Sequence, residues 1–386
     1  MLQRRTARKS TAPDAVASAL GHSRGPKSPC NGPGRPGWNG AGQNGFSLVE
    51  LMISLCVLAL VLGYITSGMI QVMRTQGTMQ NRTEMHSNVR NATELIQQEV
   101  GQAGRITLPT DTITNGTTLT AAAAAGATAL TVHSATGMFC GMYLDVDTGA
   151  NYEFVQISPT APCISGTTLT LANATTFPHA ITPTAAPVQV SGGFASGIVP
   201  PASSYTYNGY SGPYLTNGSS GSVLKLYGDI NRDGSVRYVE YVCSQGTPSA
   251  PGYLYRNVTP GAINVSSAAS KVTSSTSTVL LTNLLLNPPN ATTGLTPPCF
   301  VYQMNPTAGS SGNNYVIDVA VTLTVQTQQV DMGTSASAPT FQQETKALLN
   351  VSPRNVFDVW RLDIGTYPEK IQPIPPNITT YLLPGD

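Results

Sequence analysis

From Leu51 to Met73 the chain runs 23 residues without a charged side chain. Coiled as an α-helix at about 1.5 Å per residue, that run is roughly 35 Å long, enough to cross a hydrocarbon core of about 30 Å. One acid stands at its mouth. Glu50 directly precedes the run, and a carboxylate carried to a bilayer centre costs on the order of a few kcal/mol. A residue so placed needs a cationic partner, and the identity of that partner decides how the chain is read.

Charge is scarce and unevenly placed. Only 10% of residues are charged, well below the level of an average soluble domain. Residues 1–45 hold seven bases (Arg4, Arg5, Arg8, Lys9, Arg24, Lys27, Arg35) and one acid, Asp14. Residues 46–386 therefore carry 13 bases against 18 acids, a formal −5. The basic segment has the composition of a cytoplasmic flank. The remainder, rich in Thr, Ser, Asn and Gly, suits an exported β-rich protein and has no basic cluster for binding nucleic acid.

The order of segments is not that of a secretory signal, where the small residue follows the apolar core. Here Gly45 precedes it, so a cut after Gly45 would leave the apolar run as the new N-terminus. The string Gly45-Phe46-Ser47-Leu48-Val49-Glu50-Leu51-Met52-Ile53 resembles the class III signal of type IV pilins and type II secretion pseudopilins. The resemblance implies cleavage between Gly45 and Phe46 by a prepilin peptidase and N-methylation of Phe46. It also supplies the missing partner, since Glu50 is implied to pair with the N-terminal amine of a neighbouring subunit. A buried carboxylate is tolerable when a cation meets it. The alternative is an ordinary membrane anchor with an incidental Glu.

Beyond Met73 the sequence turns polar yet stays periodic. Met85, Val89, Ala92 and Ile96 mark one face of an amphipathic helix, and Gly101 and Gly104 offer a stop. We expect one helix of about 55 residues, with Gly63 and Gly68 as points where it could kink. From Ile106 the chain reads as β. Strands are predicted at Ala129–His133, Met142–Val146, Tyr152–Ile157, Thr167–Leu171, Val223–Tyr227, Val236–Cys243, Val316–Gln326 and Glu344–Val351. An echo of Gly-Thr-Thr-Leu-Thr near Asn115 and Ser165 brackets an apparent β-module. The segments Ala92–Ile106, with its Ala103-Gly104 pair, and Val316–Phe357, with Arg354-Asn355, are similar to PilW-type minor pilins. The resulting division is a leader 1–45, a helix 46–105 (membrane half 46–73), a head 106–368 with a module inserted at 115–190, and an extended tail 369–386. The fold class is α+β: a long helix packed on an antiparallel β head. Residues 31–45, rich in Gly, Pro and Asn, are expected to be disordered.

Six cysteines divide by position. Cys30 and Cys56 lie in the basic and apolar segments, and Cys140, Cys163, Cys243 and Cys299 in the exported part. Two disulfides are expected there. Of three connectivities, Cys140–Cys163 with Cys243–Cys299 is favoured because each closes the shorter loop. The stretch Asp229-x-Asn231-x-Asp233-Gly234-x5-Glu240 matches a calcium-loop pattern in which Asp229, Asn231, Asp233, the Ser235 carbonyl and Glu240 could supply oxygens. A β-hairpin turning at Asp233-Gly234 is favoured over it, because no helices flank the loop. The four histidines lack metal-ligand spacing, and no hydrolase or nucleotide-binding motif is present, so neither an enzyme nor a cofactor is expected. Four tyrosines in Ser203–Leu215 resemble a binding loop, with a plain surface loop as the simpler reading.

The resemblance implies a structural minor pilin, held in the bacterial inner membrane, then assembled with other pilins at the assembly platform and carried to the cell surface in the filament. A large head suggests a low-copy or tip position, with a role in assembly or adhesion. The alternatives are a type II secretion pseudopilin of the J type and, from another class, a membrane-anchored adhesin or sugar-binding protein that does not polymerise.

Overall fold

The computed structural model describes residues 45–201, 218–260, 271–292, 294–306, 310–330 and 341–381. The basic segment up to residue 44, expected to be a leader, and the tyrosine-rich Ser203–Leu215 lie outside them. The chain divides into two units, Met1–Ile65 and Thr66–Asp386.

Helix α1 (Leu48–Gln102) is 55 residues long and unbroken at Gly63 and Gly68. Its start has local causes. Ser47 stands just before it and Glu50 three residues on, the spacing of a capping box, and the Leu51 amide donates to the Ser47 carbonyl at 3.1 Å. Glu50 in the first turn also suits the positive end of the helix dipole. In the first unit every large apolar side chain of the helix is exposed, from Leu48 at 75% to Ile65 at 59%. A helix apolar on all sides belongs in lipid or among other helices, and this one is long and apolar enough to span a membrane.

In the second unit α1 changes character. Met85, Val89, Ala92, Ile96 and Val100 are buried in one stripe. They meet Leu224, Leu226, Val239, Tyr241, Leu254 and Val321 in a single apolar core. Those partners come from a seven-stranded antiparallel sheet.

In chain order the first strands are β1 (Gly116–Thr118), β2 (Ala129–Thr131), β3 (Tyr143–Val146), β4 (Glu153–Gln156), β5 (Ile164–Ser165), β6 (Thr168–Thr170), β7 (Pro187–Gln189) and β8 (Gly193–Phe194). The main sheet uses β9 (Val223–Gly228), β10 (Arg237–Ser244), β11 (Gly252–Pro260), β12 (Val279–Leu285), β13 (Phe300–Met304), β14 (Val316–Gln326) and β15 (Gln343–Val351). Its order is β13-β14-β12-β11-β10-β9, with β15 also paired to β14. Between 116 and 189 two small sheets form, β1-β7-β3-β4 and β2-β6-β5. Their shared core of Leu119, Leu130, Leu144, Leu169 and Val188 extends to Tyr227 and Tyr238 of the main sheet. The two Gly-Thr-Thr-Leu-Thr copies flank β2: Leu130 pairs with Leu169 of the second, and Leu119 of the first bridges Val132.

Where α1 ends, the chain passes through a tight place. Gly104 has φ +77°, and a Cβ there would stand 2.8 Å from Val356 Cγ2. Its amide donates to the Tyr227 carbonyl at 2.9 Å and its carbonyl accepts from the Phe194 amide at 2.8 Å.

The C-terminal segment corrects one expectation. Residues 371–381 are not an extended tail: β16 (Ile371–Gln372) pairs in parallel with β8, and α3 (Pro376–Tyr381) follows. Ile371, Ile378 and Tyr381 are buried, so apolar burial outweighs the prolines that suggested extension. Ahead of them α2 (Arg354–Ile364) packs Val356 and Val359 against Tyr315 and Ile317.

Candidate functional site

The N-terminal segment is simple in geometry. Gly45 lies outside the helix and is exposed, and Phe46 is 79% exposed. Glu50 sits in the first helical turn with its side chain in the open. Four residues on, the Ser54 hydroxyl donates to the Glu50 carbonyl at 2.8 Å, which leaves the carboxylate itself uncommitted by any ion pair among the described residues. The segment thus presents a free acid at the start of an apolar rod. Chemically this can do one thing well, which is to bind a cation once water is excluded around it.

The predicted cysteine pairs occur in the head. Cys140 is joined to Cys163 with Cα atoms 5.5 Å apart, and Cys243 to Cys299 at 6.5 Å. The first lies in the 116–189 segment. The second ties the end of β10 to the residue before β13. Cys56 is free and exposed on α1.

The calcium pattern folds as a hairpin between β9 and β10. The Asp229 carboxylate is consumed by its own loop: it accepts from the Asp233 amide at 3.0 Å, the Gly234 amide at 3.1 Å and the Thr107 hydroxyl. Asp233 accepts from the Ser235 amide and faces Arg237 at 2.9 Å. That guanidinium, ahead of any other influence, holds the Asp233 carboxyl below the usual range. Asn231 lies in the exposed loop. Glu240 is in β10, buried beside Lys225 and Lys271, and so is not brought to the loop. Among the described residues no three His, Cys, Asp or Glu side chains gather as a metal requires.

Three buried polar clusters were not anticipated from sequence. Glu99, on the buried face of α1, accepts from Tyr241 of β10 and from Arg256 of β11, whose Nε is 3.1 Å from Oε1. Burial, then the Glu99 charge, pushes the Tyr241 hydroxyl far up, so it stays a donor. Asp363, at the end of α2, is fully buried and receives Ser310, the Ser311 amide at 2.9 Å, the Ser311 hydroxyl at 2.5 Å and Tyr315 at 2.6 Å. Burial opposes its charge, but those hydrogen bonds outweigh burial and hold its pKa low. His179 is enclosed between Asp147 (3.1 Å from Nδ1) and Glu153 (2.7 Å from Nε2). None of the three has a sequence motif, because each is assembled from segments far apart in the chain.

The two segments singled out at the ends of the head also meet. The Asn355 side-chain amide donates to the carbonyls of Gly101 at 3.4 Å and Ala103 at 3.2 Å, groups that the end of α1 would otherwise leave unpaired.

Comparison with known proteins adds one finding. The prokaryotic N-terminal methylation motif matches residues 40–66, the segment that holds Gly45, Phe46, Glu50 and the start of the apolar run. No curated protein and no solved structure matches the chain.

Proposed function

We propose that this chain, whose N-terminal methylation motif supports a type IV pilin or pseudopilin, is a minor pilin of the PilW type. Residues 1–45 are its leader, removed by prepilin peptidase, and Phe46 is the methylated N-terminus. Residues 46–105 form the spine and 106–368 the head, with the module at 115–190 as an insertion. The spine anchors the subunit in the inner membrane and then packs among other pilins in the filament, where Glu50 meets the amine of a neighbour's Phe46. The head is large for a repeated shaft unit, which favours a low-copy place near the tip. The meeting of Asn355 with Gly101 and Ala103 supports the PilW reading, because it joins the two segments that carry that resemblance.

One observation carries the reading: Gly45-Phe46 stands just ahead of a helix whose first turn holds an exposed Glu50 and whose next turns expose mostly apolar bulk and no charge. N-terminal mass spectrometry of the membrane-extracted protein tests it. The expected terminus is N-methylated Phe46. An intact leader, or a cut beyond the apolar run, would overturn the assignment.

A further inference from the structure

The main sheet lines up a lysine, a glutamate and an asparagine in one row. Lys225 of β9 is directly opposite Glu240 of β10, and Glu240 is directly opposite Asn257 of β11. Directly opposed residues share a face of the sheet, and with strands about 4.8 Å apart the outer two Cα atoms are about 10 Å from each other. All three residues are buried, at 4%, 5% and 2% exposure. The Lys225 Nζ lies 3.7 Å from Glu240 Oε1, so the side chain runs along the row towards β11.

Two features of this row bear on its chemistry. A second cation, Lys271, places its Nζ 2.9 Å from the same Glu240 oxygen. Lys225 and Lys271 thus both approach one carboxylate, Lys225 from the buried side and Lys271 from a partly exposed position. Asn257 is also only half satisfied. Its Nδ2 donates to the Ser274 hydroxyl at 3.1 Å, while Oδ1 is buried with no hydrogen-bond partner among the described residues. Native interiors rarely keep such a group without a reason. An amine, a carboxamide and a proton carrier between them, enclosed together, are the parts of an amide-exchange reaction.

We propose that Lys225 and Asn257 become joined by an intramolecular amide bond, with Glu240 carrying the proton. Glu240 accepts a proton from the Lys225 ammonium. The freed Nζ lone pair attacks Cγ of Asn257 and a C–N bond forms. The Cγ–Nδ2 bond then breaks, its electron pair staying on Nδ2. That nitrogen collects the two protons Nζ has given up, passed through Glu240, and departs as ammonium. The new amide keeps one hydrogen on nitrogen, and neither an oxidant nor a cofactor enters. One positive charge leaves with the ammonium, and Lys271 and Glu240 remain as a balanced pair. The Tyr238 hydroxyl, donating to Glu240 Oε1 at 2.6 Å, holds the carboxylate in place. The product ties β9 to β11 across β10, a covalent strap within the sheet against which α1 packs.

The test is a tryptic digest of the reduced full-length protein, read by mass spectrometry. The expected result is a Lys225 peptide, uncut at Lys225, linked to the Asn257 peptide, with a mass one ammonia lower than the sum of that uncut peptide and the free Asn257 peptide. Lys225→Arg and Asn257→Ala should each yield only unlinked peptides. Glu240→Gln should do the same, while a parallel unreduced digest still shows the Cys243–Cys299 disulfide, the sign that the head has folded. Separate Lys225 and Asn257 peptides from the parent overturn the proposal, as does linkage through Lys271. A Glu240→Gln chain linked as fully as the parent removes Glu240 from its role.

Discussion

Two stretches of α1 share a backbone and little else. Up to Ile65 the helix has bulky apolar side chains on every side and buries none of them. From Met85 to Val100 it has one apolar stripe, and all of that stripe is covered by the chain's own sheet. The first stretch has no apolar cover among the described residues, and the second has already found one. Glu50 and Glu99 repeat the contrast in charge. Glu99 is paired at home by Arg256 and Tyr241, whereas Glu50 has no such partner among the described residues. A single helix can therefore serve two solvents, and its acids show which part is finished within the subunit.

That contrast can be broken most severely at Glu50. Glu50→Ala should leave membrane insertion near normal, since removing a charge makes the span more apolar. On the proposed pairing of Glu50 with a neighbour's Phe46 amine, recovery in sheared filaments should collapse, because an unpaired amine among apolar helices costs on the order of 3 kcal/mol, over a hundredfold in an assembly equilibrium. Normal incorporation of both Glu50→Ala and Glu50→Gln would make the acid incidental.

The self-contained part should be sensitive to its own cross-links and core instead. Replacing Cys243 and Cys299 by Ser opens a loop with a sequence separation of 56. The chain-entropy relation puts the loss at roughly 4 kcal/mol, to be read as a lower urea midpoint of the detergent-solubilised protein. Ile96, fully buried, is next: Ile96→Ala should cost about 3 kcal/mol by the same measurement. Leu58→Ala, on the exposed stretch, should leave that midpoint unmoved. Equal effects of the two would erase the distinction between the stretches.

The smallest effect concerns pH. The Asp363 pKa is held low in the fold, so its contribution is present above the ordinary carboxylate range and is lost as pH falls through the folded value. Asp363→Asn should cost about 1–2 kcal/mol at neutral pH. The gap between parent and variant should close on acidification. A gap that stays constant with pH would show that the charge itself contributes nothing.

Much of the architecture was legible because it is local. β14 was predicted over its whole length, Val316–Gln326, by β-branched alternation, and the buried stripe of α1 by its period. β11 was not, because Gly252-Tyr-Leu-Tyr-Arg-Asn-Val-Thr-Pro260 carries Arg256 and Asn257 inside a strand. Arg256 is acceptable there only because Glu99 reaches it from α1, and that pairing spans 157 residues. β12 was hidden by Asn283, whose φ of +59° interrupts an otherwise apolar run. The hairpin was favoured over the calcium pattern from sequence alone, but the place of Glu240 was not legible: its two lysines, one on the neighbouring strand and one beyond β11, come together only in the fold. The N-terminal methylation motif was the most legible part, since it lies in consecutive residues.

The hydrogen bonds from Asn355 to Gly101 and Ala103 bear on the order in which the protein can be made. They join positions up to 254 residues apart, so the ribosome has released the whole membrane-spanning stretch long before the residue that closes the end of the helix exists. Contacts of such long range form late and slowly. During that interval the apolar stretch is already complete while the head is still open. A nascent chain that stops short of Asn355 would lack the side chain that meets the carbonyls of Gly101 and Ala103 at the end of the helix.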